Sequence, residues 1–190
     1  MAIVKELAIG GAWLLEPTTY RDNRGQFREW YKKSTSNFGV FANNFHVNQA
    51  NISISKKATV RGLHYSLANA GQAKIITCLA GSAFDVIADI RVGSPTFGSW
   101  VSVHLTAENG NTIYLSSGLA HGVMTLENGT AISYLLSSEF SLTDEYGVNP
   151  LDETFDIKWP IKPRHISEKD LGADSLDGML ERNLLPIFHE

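Results

Sequence analysis

Lys74-Ile75-Ile76-Thr77-Cys78-Leu79 and Ala83-Phe84-Asp85-Val86-Ile87-Ala88-Asp89-Ile90-Arg91 stand on either side of Gly81-Ser82. Both runs are rich in β-branched residues, and a two-residue Gly-Ser link between such runs predicts a β-hairpin. In an extended chain Phe84, Val86, Ala88 and Ile90 share one face, and Asp85, Ile87 and Asp89 the other. Working outward, Trp100 to Leu105, Thr112 to Leu115, Ala120 to Leu126 and Ala131 to Leu136 repeat the pattern at a spacing of roughly ten residues. Short strands at regular intervals with turns between them predict an all-β sandwich or barrel.

Toward the N-terminus, Val4 to Ile9 and Ala12 to Leu15 are apolar runs broken by Gly10-Gly11. The polar turn Tyr20 to Gly25 leads into Gln26 to Tyr31, which alternates as a strand. Ser34 to Phe41 is a candidate helical turn capped by Ser34 or Ser36. Val47 to Ile54 places Gln49, Asn51 and Ser53 on one strand face, toward solvent or a lined cavity. Lys56-Lys57 is a turn before Val60-Arg61-Gly62-Leu63-His64-Tyr65, where Leu63 and Tyr65 face one way and His64 the other. Gly62 marks a close approach of another backbone or a ligand. After Trp159-Pro160 the character changes. Ser167 to Leu171 begins a helix, with Ser167 as cap and Asp170 at the capping-box position, and Leu180 to Phe188 forms a last short element.

The 190 residues suit one domain, with a core at about residues 10–160 and a C-terminal extension at 161–190. The content is 43% hydrophobic and 19% charged, ordinary for a globular protein, and a net charge of −4 argues against a nucleic-acid polymer as partner. The single cysteine, Cys78, excludes an intrachain disulfide framework. With no basic leader and no apolar run of ~20 residues, a cytoplasmic protein without a membrane partner is expected.

Six histidines are present: His46, His64, His104, His121, His165 and His189. None forms the closely spaced His-x-His pair typical of metal-binding jelly rolls, so no metal is expected and His64 reads as an acid–base group. Arg61, three residues away, offers a cation to an anionic ligand, although a surface Arg beside a core His is the plainer reading of this stretch alone. Lys74 opens an apolar strand. It is either an edge or snorkelling residue or an ammonium that stabilises an oxyanion. Tyr134 is either a core tyrosine or a general acid. A His base, a Lys and a Tyr acid together fit proton abstraction beside a carbonyl.

An ordered set of motifs resembles the dTDP-4-dehydrorhamnose 3,5-epimerase family. The set is Asp22-x-Arg24-Gly25-x-Phe27-x-Glu29, Gln49-x-Asn51, Arg61-Gly62-Leu63-His64-Tyr65, Phe84-Asp85-Val86 through Phe97-Gly98, and Gly118-x-Ala120-His121-Gly122. The wording at Gln72-Ala73-Lys74, Tyr134-Leu135-x-Ser137 and Tyr146 to Asp152 is similar to the actinobacterial branch. The resemblance implies a cupin-type jelly-roll β-sandwich with short peripheral helices. It also implies a homodimer that exchanges N-terminal strands, a dTDP-sugar substrate and no cofactor. In that reading His64 is the base at C3 and C5, Asp170 orients it, Lys74 stabilises the C4 enolate, and Tyr134 returns the proton from the opposite face. Arg24, Gln49, Asn51, Arg61, Glu145 and Lys169 surround the nucleotide and its diphosphate, Phe27 and Glu29 meet the thymine, and His121 lies beside the sugar. Phe140 offers a ring for stacking.

The sequence departs from the commonest family wording at Ser66, Leu135 and Glu139-Phe140, where Gln, Lys and an aromatic pair are frequent. The expected activity is inversion at both C3 and C5. The alternatives are a C3-only epimerase, a related ketoisomerase, and a cupin that only binds a sugar nucleotide or a metal.

Overall fold

A computed structural model describes residues 2–32, 45–68 and 71–189. Two antiparallel sheets pack face to face, the sandwich expected from the strand spacing and of the jelly-roll type that the family resemblance implies. The larger sheet runs β1 (Ile3–Glu6), β2 (Ala12–Glu16), β10 (Thr112–Leu115), β7 (Lys74–Ala80), β12 (Thr130–Leu136), β5 (Gln49–Ser55). The smaller runs β13 (Glu145–Gly147), β6 (Val60–Ser66), β11 (Leu119–Thr125), β8 (Ser82–Asp89), β9 (Trp100–Thr106). A separate two-stranded hairpin joins β3 (Tyr20–Asp22) to β4 (Gly25–Phe27). The expected strand at Gln26 to Tyr31 therefore ends at Phe27. The helical turn expected at Ser34 to Phe41 lies outside the described residues.

Apolar layers explain why several strands lack alternation. Between the sheets, Ile76, Ile113 and Ile132 of the larger meet Ile87, Leu105 and Val123 of the smaller. Outside the smaller sheet, Leu63, Tyr65, Val86 and Ile90 bury against Phe155, Leu176, Met179 and Leu185 of the C-terminal segment. Outside the larger sheet lie Leu15, Ile75, Tyr114 and Leu135. A strand covered on both faces reads as one continuous apolar run, as β7 does. Each large aliphatic chain so buried contributes about 1.5–3 kcal/mol relative to an exposed one.

The hairpin predicted at Gly81-Ser82 does not form. β7 pairs with β10 and β12, whereas β8 pairs with β9 and β11 in the other sheet. Gly81 adopts φ +73 and lies against Thr130, so the chain turns a corner from one sheet to the other. Turn chemistry alone does not distinguish a hairpin from such a corner.

The two faces assigned to β8 are both buried. Asp89 accepts Arg91 Nε at 2.8 Å, Ser94 Oγ at 2.6 Å and Thr96 Oγ1 at 2.6 Å, and Arg91 Nη2 donates to the Gly10 carbonyl at 3.0 Å. Burial would raise the Asp89 carboxyl, but these donors hold it below the usual range. The Asp89 to Gly98 motif thus ties the loop after β8 to the N-terminal hairpin.

The tail forms α1 (Glu168–Leu171) and α2 (Leu176–Glu181). Ser167 caps α1 as expected, accepting from the Asp170 amide at 3.0 Å. Asp170 does not complete a capping box; its carboxylate turns to β6 instead. The last element begins at Leu176, earlier than the expected Leu180, and its chain end pairs Ile187 with Val92. No helix among the described residues is long and apolar enough to cross a membrane.

Candidate active site

The two sheets separate at one end to leave a cavity of about 280 Å³. The larger sheet contributes Asn51, Ser53, Lys74 and Tyr134, and the smaller contributes Arg61, His64, His121 and Glu145. Phe140 and Lys169 stand at the rim. Strand register explains the clustering. Tyr134 lies opposite Asn51, and Leu136 lies opposite both Gln49 and Lys74. On the facing wall His121 lies opposite His64.

Simple alternation would send Arg61 to the face opposite His64. The β6–β11 ladder slips between these positions, since two steps along β11 match three along β6. That bulge brings both side chains to the cavity. Gly62, at φ +108, makes the slip possible. A Cβ there would strike the His121 carbonyl oxygen. The close approach read from Gly62 is therefore to the β11 backbone and not to a ligand.

Two histidine–carboxylate pairs stand side by side. His64 Nε2 is 2.7 Å from Asp170 Oδ1, and Asp170 Oδ2 accepts the Gly62 amide at 3.4 Å. Burial pushes the Asp170 carboxyl up, but His64, Ser167 and Gly62 outweigh it and hold it below the usual range. An ionised carboxylate only accepts, so Nε2 carries the proton and Nδ1 keeps its lone pair for use as a base. His121 Nε2 lies 2.9 Å from Asp85 Oδ2 and 3.0 Å from Oδ1. Burial pushes Asp85 above the ordinary carboxylate range, against the pull of His121 and Lys74.

Lys74 is neither an edge nor a snorkelling residue: β7 is a central strand, and the ammonium is buried, donating to the His64 carbonyl at 3.3 Å. Desolvation lowers its pKa to about 8, opposed by Glu145 and Asp85. Tyr134 Oη is 3.2 Å from Ser53 Oγ, and its ring meets His121 edge-on at 5.9 Å. Burial raises the phenol to about 12, and the Ser53 hydrogen bond opposes the rise. A buried phenol holds its proton until a strong base, such as an enolate carbon, takes it.

Glu145 accepts from Gln72 at 3.2 Å. Gln49 is set back from the lining; it donates to Asn51 at 2.9 Å and accepts the Phe140 amide at 2.8 Å, which positions both. Arg61 Nε donates to Ser55 at 3.1 Å. Arg24, Phe27 and Glu29 are not brought to this cavity. They sit on or just after the β3–β4 hairpin, exposed, with Arg24 bridging Asp22 and Glu29 near Lys32. Two departures from family wording fall away from the cavity lining, since Leu135 packs into the outer apolar layer and Ser66 bonds the Ala68 amide.

Asp85 was not among the expected site residues. Its signal was present, because an acid in a strand otherwise made of buried residues requires a partner. Gln72 and Tyr146 also line the cavity. Among the described residues, no group of three or more His, Cys, Asp or Glu side chains converges as a metal site requires.

Comparison with known proteins places this geometry. The family model described as dTDP-4-dehydrorhamnose 3,5-epimerase matches residues 6–178. The dTDP-4-dehydrorhamnose 3,5-epimerase of Mycobacterium tuberculosis is 40% identical over 190 residues, covering 98% of this chain and 93% of that protein. A 4-keto-6-deoxy sugar epimerase from the novobiocin gene cluster of Streptomyces spheroides superposes with a TM-score of 0.95 at 35% identity, covering 99% and 94% of the two chains. A 3'-monoepimerase from Streptomyces bikiniensis, solved with dTDP-quinovose, gives a TM-score of 0.91 at 37% identity, covering 95% and 91%.

Proposed function

Because the chain belongs to the dTDP-4-dehydrorhamnose 3,5-epimerase family, we propose that it inverts C3 and C5 of dTDP-4-dehydro-6-deoxy-D-glucose to give dTDP-4-dehydro-β-L-rhamnose. One observation carries the reading. His64 and Tyr134 line a single cavity from opposite sheets. Inversion at carbon needs a proton removed on one face of the ring and returned on the other. A group on each wall meets that requirement, whereas a lone histidine would restore the original centre.

His64, held by Asp170, takes the proton beside the C4 ketone through Nδ1. Electron density moves to the C4 oxygen, where the Lys74 ammonium stabilises the enolate as it forms. Tyr134 then protonates the carbon from the other side; His64 gives its proton to solvent and the Tyr134 phenolate regains one from it, and the cycle repeats at C5. The His121–Asp85 pair lies beside the sugar and fixes the edge against which Tyr134 rests. Arg61 and Lys169 meet the diphosphate, for which a guanidinium fork is well shaped, while Asn51 and Glu145 hold the remaining polar groups, Phe140 stacks, and Gln49 positions Asn51 and Phe140 from behind. Arg24, Phe27 and Glu29 reach the cavity of a second copy in a homodimer, which accounts for an exposed Phe27 and an arginine paired only with its neighbour.

Incubation with the substrate in D₂O tests the proposal. Two deuteria and a rhamnose-type product on coupled reduction are expected. One deuterium, at C3, would shift the assignment to the single inversion for which some relatives are named, and no exchange would overturn both.

A further inference from the structure

A second cleft, of about 460 Å³, opens where the β5–β6 turn meets the segment before α1. Its wall carries Lys56, Lys57, Lys162, Arg164 and His165, together with Asn128. In a chain of net charge −4, four permanent cations in one concavity run against the overall field. None of them belongs to an ion pair formed among the described residues. No carboxylate lines the cleft.

The frame beneath these cations is rigid. Ala58, buried at φ +62, accepts the amides of Arg164 at 2.9 Å and His165 at 3.2 Å, and Val60 donates to the His165 carbonyl at 2.8 Å. Lys57 N donates to Asn128 Oδ1 at 2.9 Å, which ties in the β11–β12 turn. Three segments are thus locked together, and two of them place their basic residues on the cleft wall. Like charges held together repel, and an anion relieves that repulsion. The cleft also joins the active site. A connecting groove shares Arg164 and His165 with the cleft, and Arg61, His64 and Lys169 with the catalytic cavity. Among the described residues, the only carboxylate along that groove, Asp170, is engaged with His64.

We propose that this cleft is a second anion subsite that takes the phosphate groups of a nucleoside diphosphate and stages them for transfer along Arg164 and Lys169 to the catalytic cavity. The role in delivery rests on the sugar-nucleotide reading above; the binding of phosphate at the cleft does not.

Isothermal titration of the whole protein with inorganic pyrophosphate, before and after saturation with dTDP, provides the test. With dTDP filling the catalytic cavity, one pyrophosphate per chain is expected to bind still, more weakly as salt is raised. The K57Q/K162Q variant should bind that pyrophosphate at least tenfold more weakly, with an unchanged melting temperature and unchanged kcat at saturating substrate. R164Q, in the connecting groove, should lower kcat/KM several-fold at low salt and converge on the wild type at high salt. Displacement of the pyrophosphate by further dTDP identifies the nucleotide as the occupant; without displacement, free phosphate is the ligand and the staging role is overturned. Pyrophosphate binding that vanishes as soon as one dTDP per chain has filled the catalytic cavity, or that K57Q/K162Q leaves intact, overturns the subsite altogether. Failure of dTDP to bind at all would instead count against the sugar-nucleotide reading.

Discussion

The two histidine–aspartate pairs share a sheet and sit directly across one ladder, yet they are built differently. Asp85 reaches His121 from the adjacent strand, and both side chains are almost wholly buried. Asp170 reaches His64 from a short helix 106 residues further along the chain, and the His64 side chain keeps 38% of its surface exposed. The first pair is buried in the cavity wall, whereas the second leaves its histidine open to a ligand. A working base needs both a fixed tautomer and an open nitrogen, and only His64 has them.

Breaking the exposed pair should have the largest catalytic effect. His64→Asn keeps the volume and removes the base, so deuterium exchange should fall by roughly 10³-fold or more, with circular dichroism unchanged. Exchange at the wild-type rate would remove His64 from the mechanism. In contrast, Tyr134→Phe should allow some wash-in of deuterium while blocking product formation.

The supporting carboxylates separate the pairs further. Asp170→Asn should reduce kcat by about 10²–10⁴-fold through loss of the tautomer, and cost about 1–3 kcal/mol in stability from one charge-assisted bond. Asp85→Asn weakens the buried hydrogen bond to His121 Nε2 and should cost about 1–3 kcal/mol in stability, read as a lower melting temperature. Acid titration should also distinguish them. Asp170 titrates below its unfolded value, so its stabilisation is complete above that value and is lost as pH falls through the lower folded one. Asp85 titrates above its unfolded value, so protonation as pH falls relieves its burial and acts in the opposite sense. An Asp170→Asn protein should therefore lose less stability in acid than the parent.

Lys74 links the pairs, since it touches the His64 backbone and feels Asp85. With its pKa near 8, turnover should decline as pH rises through about that value and the ammonium is lost. Stability should move the other way. The unfolded lysine holds its proton to about 10.4, so between the two values the unfolded chain binds more protons and stability rises with pH. Lys74→Gln should remove this alkaline limb and lower kcat by about 10²-fold.

Much of this contrast was written in the sequence, though not all of it in a form that could be read. Most of the strands, the apolar runs of β7 and β8 and the polar face of β5 follow from periodicity, which local sequence determines, whereas the three-residue β3, read as part of a turn, and β13 are too short to show any. The sheet switch at Gly81-Ser82 does not, because turn residues specify a bend and not the partner of the next strand. Arg61 and His64 share a wall only through a bulge, a property of the ladder with β11 that neither residue announces. Asp170 was legible as a cap neighbour, but its place beside His64 depends on how the tail folds back over the smaller sheet. Asp85 could have been found from β8 alone, as a charge among buried neighbours.

The smallest effect concerns the hairpin that stands apart from the cavity. Arg24 is 86% exposed at its side chain and, among the described residues, bridges only Asp22. If it only bridges Asp22 within the hairpin, Arg24→Ala should leave kinetics untouched. If it reaches a second copy, KM should rise about tenfold from one lost charge-assisted bond, with kcat and dimer mass retained. Mixing settles whose cavity it serves. In a mixed dimer of Arg24→Ala and His64→Asn chains, the first keeps His64 and can receive Arg24 from the second, which rebuilds one complete site. Random pairing should then recover about a quarter of wild-type kcat/KM at low substrate. Were Arg24 to act within its own chain, every cavity in the mixture would lack one of the two groups, and activity would never exceed that of the Arg24→Ala chains present.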